Sequence, residues 1–206
     1  MTSVITGDII HSRTLQNQDP WLIPLKKLFN EYGKTPKVWE IYRGDSFQVE
    51  VKDPADALLT AIRIKATVKC VKGIDVRMGI GIGGKDYEAN RVSESNGEAF
   101  VHSGERLESM KKEKQNLSVK TPWPAFDEEI NLHIRLALIA MDNWSQGAAE
   151  LMTISLANRT LGQQEIAEKL GIAQSSVSER QTRAHHAEIM DLEAWYREKI
   201  NKLIRQ

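Results

Sequence analysis

With 206 residues, the chain can bury one good core and a small second module; its 41% apolar and 27% charged residues exclude a globally disordered chain. Lys and Arg total 28 against 28 Asp and Glu, so the whole molecule has no net field to draw nucleic acid or membrane toward it. Cys70 is the only cysteine, which excludes an internal disulfide and fits a reducing cytosol.

The N-terminus shows no basic segment followed by an apolar core, so no secretory signal is expected. The longest apolar run, residues 136–141, is too short to span a bilayer. A cytoplasmic protein without a membrane partner is the expectation. In chain order, Val4-Ile5-Thr6-Gly7-Asp8-Ile9-Ile10 is an apolar, β-branched run interrupted by Gly-Asp, and it predicts a first strand. Asp19-Pro20 reads as a helix start, and Trp21, Leu22, Leu25, Leu28 and Phe29 recur at helical spacing until Gly33. From Trp39 to Val51 two alternating runs are broken at Arg43-Gly44-Asp45, which predicts a β-hairpin with Gly44 at positive φ. The turn leaves the Asp45 carboxylate at the hairpin tip. Beside Asp8 it would make a hard oxygen site suited to Mg²⁺ and phosphates. The plainer alternative has both Asp residues capping turns or pairing with Arg13 and Arg43.

Asp53-Pro54 restarts a helix, with Ala57, Leu58, Ala61, Ile64 and Val68 facing inward as far as Val71 and Gly73. Residues 75–83 form another strand whose glycines either admit something closely or accommodate a packed helix. A polar loop over 85–96, a helix over about 97–112 and a short strand at Leu117-Ser118-Val119 follow. The resulting β-α-β-β-α-β-α-β order predicts an α+β fold with a ferredoxin-like, split βαβ sheet. Pro122-Trp123-Pro124 marks a domain boundary. The expected division is a sheet domain over 1–122, connecting helices over 123–160 and a helical module over 161–206.

The order Gly7-Asp8-Ile9, Gly44-Asp45-Ser46-Phe47, Arg77 to Gly83, then Gly97 to Arg106-Leu107-Glu108 resembles the catalytic domain of class III nucleotidyl cyclases. The likeness covers about the first three-fifths of the chain, each motif alone being weak. The resemblance implies metal ligation by Asp8 and Asp45, helped by the Ile9 carbonyl. It implies Mg²⁺ or Mn²⁺ with a nucleoside triphosphate or other nucleotide held along Ile9, Ile10, His11 and Ser12 and at Gly44. Arg106 would steady the phosphates. His102 falls where that family places a catalytic asparagine, Ile41 where it places the adenine-reading lysine, and His11 where a small residue is usual. The chain as a whole also resembles the bacterial SatD family, a likeness that brings no function of its own.

Beyond the boundary the chain reads as helices over about 125–144 and 148–159. The stretch from Gln163 to Glu179 then reads as a helix-turn-helix: Ile166 and Leu170 are core positions, Gly171 is the turn, and Ile172 and Val177 hold the second helix. This unit is similar to bacterial repressor and sigma-type readers. Gln174, Ser175, Ser178 and Gln181 would meet base edges, and Arg180 and Arg183 phosphate. Lys169, Arg180 and Arg183 are balanced by Glu165, Glu168 and Glu179, so the basic footprint is faint and a protein-interaction role is the alternative. His185-His186 are adjacent, a poor pair for a single metal. Ile189, Leu192, Tyr196 and Leu203 make one stripe on a long terminal helix, for the core or for a homodimer.

Two functions follow as expectations. One is a DNA-binding regulator with a nucleotide- or metal-sensing domain; the other is a cyclase-type enzyme with the helical module as scaffold. The departures at His102 and Ile41 favour the first.

Overall fold

The computed structural model describes residues 1–205; Gln206, the last residue of the expected helical module, lies outside the described residues. Five strands form one mixed sheet, and eight α-helices pack on it and beyond it, an α+β architecture among the described residues. The strands are β1 (Thr2–Ile10), β2 (Trp39–Tyr42), β3 (Ser46–Val51), β4 (Asp75–Gly83) and β5 (Leu117–Lys120). Their order across the sheet is β2-β3-β1-β4-β5. β1 sits in the middle, antiparallel to both β3 and β4, and β5 joins β4 in parallel.

The helices are α1 (Asp19–Asn30), α2 (Ala57–Lys69), α3 (Glu98–Glu113), α4 (Pro124–Met141), α5 (Gln146–Ala157), α6 (Gln163–Leu170), α7 (Gln174–Ala184) and α8 (His186–Ile204). No described helix is long and apolar enough to cross a membrane.

Alternation along β1 sends Ile5 and Ile9 to one face, where α1 and α2 cover the sheet. There Phe29 packs on Trp39 and Phe47, with ring centroids 5.6 and 5.3 Å apart. The other face carries Thr6 and Asp8 and is crossed by α3. Gly79 and Gly81 of β4 make that crossing possible. A Cβ built on Gly81 would lie 2.1 Å from the Ala99 carbonyl oxygen, and one on Gly79 2.5 Å from that of Ser103. Of the two readings of these strand glycines, helix packing is the one the structure shows. Thr6 and Ser103 hydroxyls meet at 2.9 Å in the same seam.

Asp53 starts the segment after β3 by accepting the Ala55 N–H at 2.9 Å, as Asp53-Pro54 predicts. The free edge of β5 is closed by a side chain. Asn131 of α4 accepts the Val119 N–H through Oδ1 and donates Nδ2 to the Val119 carbonyl, both at 2.8 Å.

One buried apolar cluster runs from Ile5 and Phe47 through Ile130 and Leu151 to Tyr196 and Ile200. α5 packs on α2, α7 on α5, and α8 reaches back to residues 54–56. Tyr196 is fully buried and donates its hydroxyl to the Pro54 carbonyl at 2.9 Å. The stripe on the terminal helix therefore divides. Ile189 and Tyr196 belong to the core, while Leu192 and Leu203 are only partly buried against it.

Candidate functional site

Antiparallel register builds a polar row across the α3 face of the sheet. Tyr42 pairs with Ser46, Ser46 with Asp8, and Asp8 with Arg77. The hairpin tip is held against β1 because the Ile9 N–H donates to the Asp45 carbonyl at 2.9 Å. Gly44 adopts φ +85° with open space around it, as a tight turn requires, and Arg43 shares the left-handed region at φ 53°. His11 is also left-handed, at φ 63°, and turns the chain so that buried Ser12 donates to Asp45 Oδ2 at 3.3 Å.

Asp8 is the unusual member. One carboxylate oxygen, Oδ2, lies 3.5 Å from the Arg77 guanidinium. The other, Oδ1, is buried and has no hydrogen-bond partner. Burial pushes the Asp8 carboxyl above its ordinary range; Arg77 and Lys111 pull it down, and the charges of Asp45 and Glu108 add to the rise. Tyr42 is raised too, chiefly by burial. Neither Asp pairs with Arg13 or Arg43; the countercharge is Arg77, which no local sequence pattern points to.

A buried carboxylate oxygen with an unused lone pair, beside a second carboxylate, fits a hard divalent cation. Among the described residues no group of three or more His, Cys, Asp or Glu is placed to hold a metal ion. The protein would thus offer two carboxylates, and water or phosphate oxygens would complete the shell, the pattern Mg²⁺ prefers.

The remaining expected residues are placed apart from this pair. Arg106 lies over Gly79, but its guanidinium faces β5: Nε donates to Ser118 Oγ at 2.5 Å, and two nitrogens grip Glu113 at 3.0 and 2.8 Å. His102 sits over Gly81, four residues beyond Arg77, a distance of about 13 Å along an antiparallel strand. Its Nδ1–H donates to the Ile82 carbonyl at 2.8 Å, which fixes the tautomer and leaves Nε2 as the second nitrogen.

In the C-terminal helices Ile166, Ala167 and Val177 are buried, and Gly171 ends α6 at φ 63°. Gln174, Ser175 and Ser178 are exposed on α7. Gln181 is half-buried and accepts from Gln163 at 2.6 Å. Arg183 is exposed and pairs with Glu179. Arg180 turns the other way, onto α5, where it meets Glu150 at 3.1 Å and the Gly147 carbonyl at 3.3 Å. A scan against protein-family models finds no match for the chain, and a search of curated proteins finds none either.

Proposed function

We propose that this chain is a cytoplasmic DNA-binding regulator whose sheet domain senses a divalent cation together with a nucleotide. The observation that carries this reading is a contrast. Asp8 Oδ1 is buried without a hydrogen-bond partner, whereas Arg106 and His102 are already engaged by Glu113 and by the Ile82 carbonyl. Such a site binds without the groups a fast group transfer needs.

Within the proposal the sheet is a ferredoxin-like, cyclase-type one, supported by β1 flanked antiparallel on both sides in the order β2-β3-β1-β4. The motif order likewise supports placing the chain near class III nucleotidyl cyclases and in the SatD family. Asp8 and Asp45 would hold Mg²⁺ or Mn²⁺, which would neutralise the paired carboxylates and attract phosphate oxygens. Arg77 orients Asp8, and Ser12 orients Asp45. The segment Ile9 to Ser12 and Gly44 offers backbone at the same end of the strands.

α6 and α7 form the helix-turn-helix of this proposal, supported by their short length, the left-handed Gly171 between them and buried Val177. Gln174, Ser175 and Ser178 then face a major groove, with Arg183 at phosphate. Arg180 instead fastens α7 to α5, so the reading surface is carried rigidly by the body of the protein.

Two assays on the full chain test the proposal. Incubation with Mg²⁺ or Mn²⁺ and each nucleoside triphosphate, followed by chromatography, is expected to yield no product. Robust turnover that Asp45→Ala abolishes would establish the enzyme reading instead. Selection of genomic fragments at low salt is expected to enrich a sequence. Ser178→Glu should remove that enrichment, because it sets a negative charge in the groove. Arg183→Ala should weaken all sequences alike and lower the salt slope by about one. Enrichment of nothing by wild-type protein would leave the helices as a protein-interaction module.

A further inference from the structure

The face between α4 and α8 carries more exposed apolar surface than a lone helix pair needs. Leu132, Leu136 and Ile139 of α4 are 48, 59 and 69% exposed. Their spacing of four and three residues places them on one stripe, so they stand as a ridge. Beside the ridge runs an apolar groove of about 520 Å³, floored by Ala137, Ile189, Leu192 and Trp195. Trp195 is fixed in that floor by Phe126, at 6.0 Å, and by the edge of His133 at 4.7 Å. A ridge and a groove side by side are two halves of one joint. Among the described residues no element fills the groove.

The charges around it say what does. Glu129 pairs with Lys199 and Glu198 with Lys202 on these same helices. Arg135, Glu188 and Asp191 are exposed and form no ion pair among the described residues. Arg135 lies one turn from Leu132 and next to Leu136, so it travels with the ridge. Glu188 and Asp191 line the α8 wall of the groove. We propose that this face is the homodimer interface of the protein: the α4 ridge of each copy enters the α4–α8 groove of the other, with Arg135 meeting Glu188 and Asp191 across the seam.

A two-fold interface demands such self-complementarity, because each contact from ridge to groove is made twice. An unrelated basic peptide would satisfy the carboxylates but would leave Arg135 and the ridge uncovered. A second copy covers all three. Tyr196, a candidate for this role in the sequence, is excluded by its burial against Pro54. The inference stands on the surface alone and does not depend on DNA binding.

Sedimentation equilibrium of the full chain over micromolar concentrations is the test, with circular dichroism to check folding. Wild-type protein should be dimeric. The double variant Leu136→Glu, Ile139→Glu should raise the dissociation constant on the order of 10- to 100-fold with an unchanged spectrum, since both side chains are solvent-exposed in the monomer. Should that variant fail to fold, the charges decide. Arg135→Glu should weaken the dimer, and adding Glu188→Arg and Asp191→Arg should restore it. A wild-type protein that stays monomeric overturns the proposal. So does a dimer indifferent to both the ridge and the charge variants, which would place the interface elsewhere.

Discussion

At Asp8 burial and charge oppose one another, and the outcome has a sign. Its carboxyl is raised above the ordinary 3.8, with desolvation as the largest cause. Below the ordinary value both folded and unfolded chains carry the proton, and the residue is neutral to stability. As the pH climbs through the raised folded value, the folded state must hold a charge it disfavours, and stability falls. Asp8→Asn should therefore raise the melting temperature at pH 7, and the gain should vanish near pH 3; thermal melts at the two pH values check this. A divalent cation should act oppositely on the wild type. At a hundredfold excess over its dissociation constant, Mg²⁺ or Mn²⁺ should add about 2.7 kcal/mol to wild-type stability and little to Asp8→Asn, read as a thermal shift. Asp8 and Asp45 were legible in the sequence because each interrupts a strand pattern beside a glycine. Arg77 was not. It meets Asp8 only through the register of β1 against β4, strands separated by 64 residues of intervening chain (75 minus 10, less one).

Among elements, the α3–β4 contact is the least tolerant. Gly81→Ala would put a methyl 2.1 Å from the Ala99 carbonyl, where the obstacle is helix backbone and no side chain can swing aside. The expected cost is about 3 kcal/mol or more, measured by urea denaturation, whereas Gly104→Ala, inside α3 with nothing within 4 Å of the new methyl, should stabilise by about 0.5–1 kcal/mol. Sequence periodicity found these elements well, because strand alternation and helical spacing are local properties. It did not find which way α8 faces. An apolar stripe looks the same whether it meets its own core or another chain, and only the Tyr196–Pro54 contact settles that Tyr196 is internal. Arg180 shows the same limit: its position in α7 suits a phosphate contact, yet Glu150 lies across a helix crossing that no spacing rule reveals.

Across the whole molecule the sheet and the C-terminal helices are joined by a buried charge. Lys65 of α2 is wholly enclosed, 2.7 Å from Asp75 of β4 and 2.6 Å from Asp142 at the end of α4. Lys69 assists, reaching Asp75 at 3.3 Å and the Asp142 carbonyl at 2.7 Å. Lys65→Met should cost on the order of 1–3 kcal/mol, since it takes a shared hydrogen-bonding cation from Asp75 and Asp142, which stay partly solvated, Asp75 also keeping Lys69; equilibrium unfolding monitored by circular dichroism reads it directly. This joint was invisible in the sequence, where Lys65 looks like any solvated helix lysine, although the α+β class and the order of elements were plain. The closed edge of β5 has its own consequence. With Asn131 occupying the Val119 amide and carbonyl, a strand from a neighbouring chain has nothing to dock on there. Strand addition is open-ended and builds fibrils, whereas a two-fold helical contact is satisfied at two copies. Asn131→Leu should therefore show itself on prolonged storage at high concentration, as slow growth of thioflavin-positive aggregates that the wild-type protein does not form.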